Sequence, residues 1–225
     1  MSTERTAILL GASGMVGGFC LRALVDDPVY TRVMLFGRRQ LPALTRAKVS
    51  QRIVGDLATL TAADFRGAQD LFIGLGTTIR KAGSQAEFRR IDVELPLHLT
   101  TEAAKAGVEQ LVMVSSVGAD PRSKNFYIHT KGELEQEVAK LPFKAVHILR
   151  PSLLVGKRAE FRLGEKAVMT MAPALDLLTI GPLRKYHSLR AETVGDAMVR
   201  IARQGNPGIN IYEYSDIVRL TASAA

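Results

Sequence analysis

The 225-residue sequence has no tryptophan, a single cysteine (Cys20) and few aromatic residues, which make up 6% of the chain. One cysteine excludes an internal disulfide framework and a cysteine-rich metal site, and it favours a reducing, cytoplasmic location. The four histidines show no metal-ligand spacing, so no metal is expected. The chain also lacks an apolar run of about 18 residues, so no membrane span is expected.

Acidic residues are in deficit, because 22 Asp and Glu stand against 30 Lys and Arg, for a net charge of +8. Residues 142–225 carry 12 basic and 7 acidic residues, or +5 of that total. No dense basic run contains interleaved aromatics, so nucleic acid is not an expected partner. The late excess is interpreted either as solvated surface or as attraction for an anionic small-molecule substrate. The sequence leaves the oligomeric state open.

Hydrophobic residues make up 47% of the chain, and they form short aliphatic runs that alternate with amphipathic stretches. The predicted strands are Thr6–Leu10, Val33–Phe36, Arg52–Val54, Leu71–Leu75, Leu111–Val114 and Val146–Leu149. The predicted helices are Met15–Val25, Glu87–Ala106, Phe126–Leu141, Phe161–Met171 and Thr193–Arg203. This alternation predicts one α/β domain over residues 1–225, with a doubly wound parallel sheet of order 3-2-1-4-5-6. Residues from about 151 to 225 are expected to contribute a small C-terminal cap that covers the substrate.

A glycine-rich loop follows the first strand and opens the first helix. Gly11, Gly14 and Gly17 have the spacing at which the first glycine permits a tight turn, the second admits a pyrophosphate and the third lets the helix approach the sheet. The phosphates would bind at the helix N-terminus. The loop and helix start therefore predict a dinucleotide site, with Ser13, Met15 and Val16 as neighbouring contacts.

Two arginines, Arg38 and Arg39, follow the second strand, where an acidic residue would favour NAD(H). Guanidinium groups bind phosphate through paired hydrogen bonds, so the pair favours NADP(H) over NAD(H); exposed surface arginines are the alternative. Asp56 and Leu57 follow the third strand. Asp56 could accept a hydrogen bond from the adenine amino group or simply cap a turn.

The reactive group is predicted from three further patterns. Ser115 and Ser116 end the fifth strand, and Tyr127 and Lys131 lie four residues apart, on one face of the next helix. A lysine ammonium stabilises a phenolate and can bind the nicotinamide ribose, while a serine hydroxyl can orient a substrate carbonyl. Ser116 is favoured as the residue nearer the strand end. Small residues after the fourth strand permit contact with the cofactor; they are Leu75, Gly76, Thr77 and Thr78.

These motifs, together with Arg150-Pro151, resemble the atypical short-chain dehydrogenase/reductases, which are epimerase/dehydratase-like. Tracts 74–83 and 115–120 are most similar to the Tat-interacting-protein-like oxidoreductase group, and the resemblance spans roughly residues 7–200. The resemblance implies a Rossmann-type fold of about seven strands and bound NADP(H). It also implies that Ser116, Tyr127 and Lys131 are catalytic, and that Pro151, Leu153 and Leu154 pass beside the nicotinamide. The chain departs from the family at Asp92, where standard relatives have an asparagine, so a proton relay through this position is an open question.

The sequence predicts an NADPH-dependent oxidoreductase that reduces a small carbonyl substrate by hydride transfer. The alternative is an NADP(H)-binding regulatory or scaffold protein with little turnover, which would need the glycine loop and the arginines but not Tyr127 and Lys131.

Overall fold

Strands and helices alternate along residues 4–41, 47–155 and 185–222, which are the residues that the computed structural model describes. The strands are β1 (Arg5–Leu10), β2 (Tyr30–Gly37), β3 (Val49–Ile53), β4 (Asp70–Ile73), β5 (Gln110–Val114), β6 (Ala145–Leu149), β7 (Leu154–Val155), β8 (Leu189–Arg190) and β9 (Gly208–Tyr212). The helices are α1 (Met15–Asp26), α2 (Ala62–Phe65), α3 (Ile79–Ala82), α4 (Gln85–Arg89), α5 (Leu95–Lys105), α6 (Phe126–Val138), α7 (Ala191–Gln204) and α8 (Tyr214–Ala222). A 3₁₀ turn spans Leu57–Thr59, and a π-helical turn over Arg90–Glu94 joins α4 to α5.

Seven strands form one parallel sheet of order β3-β2-β1-β4-β5-β6-β9. The predicted Rossmann-type fold and its order 3-2-1-4-5-6 are therefore confirmed. The sequence patterns did not identify the seventh strand, β9. Ile209 and Ile211 on this edge strand are 54% and 46% exposed, so β9 lacks the buried aliphatic character by which the inner strands were predicted.

Hydrophobic side chains cover both faces of the sheet, because successive residues of a strand point to opposite faces. Ala7 and Leu9 of β1 belong to the core formed with α1 and α7. Ile8 and Leu10 belong to the opposite core, formed with α2, α5 and α6. This two-sided burial explains why the inner strands are aliphatic runs and not alternating sequences.

Helices α1 and α7 pack closely on one face of the sheet. A Cβ atom at Gly195 of α7 would lie 2.6 Å from the backbone nitrogen of Cys20 in α1, so only glycine fits this contact. Cys20 is fully buried, and burial raises the pKa of its thiol far above the ordinary value. Cys20 is therefore a packing residue.

The chain after Pro151 contributes to both the main sheet and a smaller one. β7 and β8 form a two-stranded parallel sheet, whereas α7, predicted as Thr193–Arg203, and β9 belong to the main layers. Residues 156–184, including the predicted helix Phe161–Met171, lie outside the described residues, and the substrate-covering lobe stays a prediction. None of the helices in the described ranges has the length and apolar character needed to cross a membrane.

A buried polar network lies at the amino ends of the strands, opposite the predicted site. Asp70, the first residue of β4, has no exposed surface and accepts two hydrogen bonds of 2.6 Å from the guanidinium of Arg5. It also accepts one from the Tyr30 hydroxyl at 2.8 Å and one from the Gln110 side-chain amide at 2.9 Å. The Asp70 carboxylate thus links β1, β2, β4 and β5.

Candidate active site

A cleft of about 430 Å³ lies at the carboxyl ends of β1, β2 and β4. Ligands of open parallel sheets bind at this edge, where the strand order reverses between β1 and β4. Ten of the predicted cofactor residues line the cleft: Gly11, Ser13, Gly14, Arg38, Arg39, Asp56, Leu57, Leu75, Gly76 and Thr77. Four separate segments of the sequence, which follow β1, β2, β3 and β4, therefore meet in one place.

The glycine loop has a geometry that side chains would prevent. Gly11 has a φ of +90°, and a Cβ atom there would lie 2.6 Å from the carbonyl carbon and oxygen of Gly74. A Cβ atom at Gly17 would lie 2.1 Å from the Gly11 carbonyl oxygen. Gly14 precedes α1 without a side-chain cap, so the first N–H groups of the helix are open to an anion. Met15, Val16 and Gly17 form the first turn of α1 behind the loop.

The two arginines after β2 are exposed and line the outer part of the cleft. Among the described residues, no carboxylate forms an ion pair with either guanidinium, so both charges are available to a ligand. The Gln51 side-chain amide donates to the Arg39 carbonyl at 2.8 Å and fixes the backbone there. Asp56 accepts a 3.0 Å hydrogen bond from the Ala58 N–H; this is the capping role, and the same side chain also lines the cleft.

Three charged residues of the cleft wall were not predicted: Lys81, Glu87 and Arg90. Arg90 donates two hydrogen bonds to Glu87, at 2.8 and 2.7 Å, and these bonds lower the pKa of the Glu87 carboxyl. Thr78 accepts from the Lys81 N–H at 3.2 Å and caps α3, outside the cleft lining. The sequence did contain a signal for a basic residue in this wall, since the pair Arg80-Lys81 closely follows the glycine and threonine tract.

The predicted reactive residues Tyr127 and Lys131 lie together on α6. The Lys131 Nζ is 5.9 Å from the centre of the Tyr127 ring, and that ring packs against Phe88 with 5.7 Å between centroids. Lys131 Nζ is also 2.5 Å from Asp92 Oδ1, and the Thr77 N–H donates to Asp92 Oδ2 at 2.8 Å. Asp92 therefore connects Lys131 to the loop that lines the cleft. Tyr127 and Ser116 do not themselves line the cleft.

The two serines after β5 have different surroundings. Ser115 is buried, and its hydroxyl donates to Glu135 Oε1, while Arg150 Nη2 donates to Glu135 Oε2 at 2.5 Å. Ser115, not Ser116, directly follows the last residue of β5, so the reason given for choosing Ser116 is wrong. The better reason is that the Ser115 hydroxyl is already bound to Glu135, whereas Ser116 is half-buried.

The segment after β6 passes the same edge of the sheet. The Val117 N–H donates to the Pro151 carbonyl at 3.0 Å, which ties this segment to the serine loop. Leu153 is 43% exposed, and Leu154 begins β7. None of the three residues Pro151, Leu153 and Leu154 lines the 430 Å³ cleft, and their contact with nicotinamide stays a prediction. Within the described ranges, no three His, Cys, Asp or Glu side chains converge as a metal site.

The strand order and the cleft define a protein with a Rossmann-type fold. Solved structures of proteins named as NAD complexes or as NAD-dependent epimerase/dehydratases share this fold. MoeE5 in complex with UDP-glucose and NAD matches with a TM-score of 0.69 and 19% identity, over 97% of this chain and 81% of that one. A putative NAD-dependent epimerase/dehydratase from Bacillus halodurans also matches with a TM-score of 0.69, at 17% identity, over 97% of this chain and 99% of that one.

Sequence relatives give the particular family. Protein FMP52-1, mitochondrial, of Scheffersomyces stipitis is 31% identical over 194 residues, which are 85% of this chain and 81% of the relative. Protein HTATIP2 of Rattus norvegicus is 36% identical over 166 residues, 72% of this chain and 68% of the relative. No family model matches the sequence. The chain belongs to the family of FMP52 and HTATIP2.

The expected cytoplasmic location is wrong. Four FMP52 relatives from different fungi are named as mitochondrial proteins, which contradicts the expectation. The inference failed because a single cysteine argues only against an oxidising compartment. It does not distinguish one reducing compartment from another.

Proposed function

We propose that the protein is an NADPH-dependent oxidoreductase that reduces a small carbonyl substrate, with Ser116, Tyr127 and Lys131 at the reacting atoms. The observation that carries the proposal is the cleft, in which the glycine loop and two exposed arginines come together. Thr77 of the cleft wall donates to Asp92, which in turn binds Lys131 behind that wall. The loop fits a dinucleotide, since a Cβ atom at Gly11 or Gly17 would occupy backbone space. Structures that share the fold include one named as a complex with NAD.

Preference for NADP(H) rests on Arg38 and Arg39. A 2′-phosphate is a dianion, and each exposed guanidinium can donate two hydrogen bonds to it. Hydrogen bonds to charged groups contribute about 1.5–3 kcal/mol each, so losing both arginines should weaken NADPH binding at least about 100-fold. NADH, which lacks that phosphate, should bind the variant within about threefold of the wild type.

The double variant Arg38→Ala/Arg39→Ala tests this preference by fluorescence titration with NADPH and NADH. Arg32→Ala removes an exposed arginine from β2, the strand that precedes the pair, and serves as the control. Unchanged NADPH affinity in the double variant would contradict the assignment.

The proposed reaction gives each residue of the site one task. Bound NADPH supplies the hydride for the substrate carbonyl carbon. The Tyr127 hydroxyl donates its proton to the carbonyl oxygen, and the Ser116 hydroxyl donates a hydrogen bond that orients the same oxygen. Lys131 holds the ribose side of the site beside the Tyr127 ring. The segment from about residue 151 would cover the substrate, and the late positive charge suits an anionic one.

Paired serine variants and one tyrosine variant test this mechanism. A positioned general acid is worth about 10²–10⁴ in rate, so Tyr127→Phe should lower the rate of NADPH oxidation by at least about 10²-fold with NADPH affinity unchanged. Ser116→Ala should also slow turnover, whereas Ser115→Ala should not, because the Ser115 hydroxyl already binds Glu135. Equal losses in the two serine variants would contradict the choice of Ser116.

A second candidate is an NADP(H)-binding regulatory or scaffold protein with little turnover. The observation in its favour is that neither Ser116 nor Tyr127 lines the cleft. Incubation with NADPH and a panel of aldehydes, ketones and quinones separates the two functions. Consumption of NADPH with any of these substrates favours the enzyme, and binding without consumption across the panel favours the regulatory role.

A further inference from the structure

Asp92 and Lys131 form a buried ion pair beside the proposed reacting atoms. Their side chains are 1% and 7% exposed, and 2.5 Å separates Asp92 Oδ1 from Lys131 Nζ. The second carboxylate oxygen accepts from the Thr77 N–H at 2.8 Å. One carboxylate therefore contacts both the lysine on α6 and the loop that follows β4. A buried charge pair is costly unless its remaining hydrogen bonds are satisfied, and here both oxygens have a donor.

The position of Asp92 has a cause in the local sequence. Pro96 lies one turn after Asp92 and has no N–H to donate to the Asp92 carbonyl, and its ring would crowd that carbonyl in a regular α-helix. The helix responds with the π-helical turn Arg90–Glu94, in which the Leu95 N–H donates to the Arg90 carbonyl five residues earlier. Such turns occur frequently at functional sites. The turn places Asp92 inside the protein, against Lys131.

We propose that Asp92 is a positioning residue for Lys131, holding the ammonium at the edge of the Thr77 loop where the cofactor ribose would lie. This inference rests on the proposed function. A charged carboxylate forms a shorter and stronger bond to an ammonium than an amide does, so the Asp92 carboxylate holds Lys131 by a direct ionic contact. Asp92 acts through Lys131 and does not itself exchange a proton with the substrate.

The variant Asp92→Asn isolates the charge. It keeps the side-chain length and an oxygen acceptor for the Thr77 N–H, but it weakens the contact with Lys131. We expect kcat for NADPH oxidation to fall at least about tenfold, which corresponds to about 1.4 kcal/mol, while the NADPH Kd stays within about twofold. The probe is the aldehyde, ketone or quinone on which the wild type is fastest. The control is Glu137→Gln on α6, which breaks an exposed carboxylate–lysine pair with Lys140.

A double-mutant cycle with Lys131→Met distinguishes positioning from a merely structural role. If Asp92 acts through Lys131, the same Asp92→Asn change should cost less than about twofold in kcat in the Lys131→Met background. Equal costs in both backgrounds would overturn the proposal, as would wild-type kcat in Asp92→Asn. If Asp92→Asn does not fold, Asp92→Glu keeps the charge but displaces the carboxylate by one methylene group, and the same cycle is measured with it.

Failure of this inference and failure of the proposed function give different results. A wild-type protein that consumes no NADPH with any substrate of the panel overturns the proposed function and this inference with it. A wild-type protein that turns over, but in which the costs of the Asp92 and Lys131 changes simply add, overturns only the positioning role.

Discussion

Protonation of His147 should destabilise the fold in mild acid. His147 has no exposed surface, and both of its ring nitrogens have partners. The Gln110 amide nitrogen donates to Asp70 and to the Ala202 carbonyl, so the Gln110 oxygen faces His147 Nε2, which must donate to it at 3.0 Å. Nδ1 then accepts from the Tyr212 hydroxyl at 3.1 Å. The network thus requires a neutral ring.

The size of the effect follows from the pKa of His147, which burial lowers from 6.5 to about 4. A histidine with a lowered pKa in the folded state stabilises the fold fully above its unfolded-state pKa, and this contribution is lost as the pH falls from 6.5 towards 4. Since one pKa unit corresponds to 1.36 kcal/mol, the full loss is about 3 kcal/mol. Between pH 7 and pH 4.5 the same relation gives a loss of about 2 kcal/mol.

Urea unfolding of the wild type and of His147→Gln at pH 7 and pH 4.5 measures this loss. Other groups titrate equally in both proteins, so the difference between their free energies of unfolding isolates His147. That difference should shift by about 2 kcal/mol against the wild type at the lower pH. A His147 difference that is the same at both pH values would refute the reasoning.

Two further predictions concern the site. Gly11→Ala should lower the free energy of unfolding by at least about 2 kcal/mol and weaken NADPH binding, because a Cβ atom there would lie 2.6 Å from the Gly74 carbonyl. Chemical denaturation measures the first effect and NADPH titration the second. Wild-type values in both would contradict the account of the loop. Pro96→Ala should restore a regular α-helix, turn Asp92 away from Lys131 and lower kcat for NADPH oxidation. Unchanged kcat would show that the proline does not set the position of Asp92.

The architecture was predictable where its cause is local. Inner strands are covered on both faces, so they appear in the sequence as aliphatic runs, and the right-handed crossover rule then leaves few possible orders. β9 escaped prediction because it is an edge strand. Its pairing with β6, from Ala145 with Gly208 to Leu149 with Tyr212, is a tertiary contact that no short pattern records.

The same distinction separates the predicted and unpredicted parts of the site. The glycine loop and the arginines after β2 depend on spacing within a few residues, and the cleft contains both. The bonds from Lys131 to Asp92 and from Ser115 to Glu135 join residues 39 and 20 positions apart. The fold, not the local sequence, decides these partners. The one local indication was Pro96, because a proline inside a predicted helix interrupts the regular backbone hydrogen bonds near Asp92.

Helix α6 makes the reactive pair dependent on the packing beneath it. Tyr127, Lys131 and Glu135 follow at intervals of four residues and so share one face of the helix. Glu135 binds Ser115 and Arg150, and it thereby connects the ends of β5 and β6 to α6. Lys131, one helical turn before Glu135, binds Asp92. The orientation of α6 is therefore set by the buried Asp92–Lys131 pair and by the partly buried Glu135–Arg150 pair. A change at Glu135 should alter the distance between Ser116 and Tyr127 without replacing either residue.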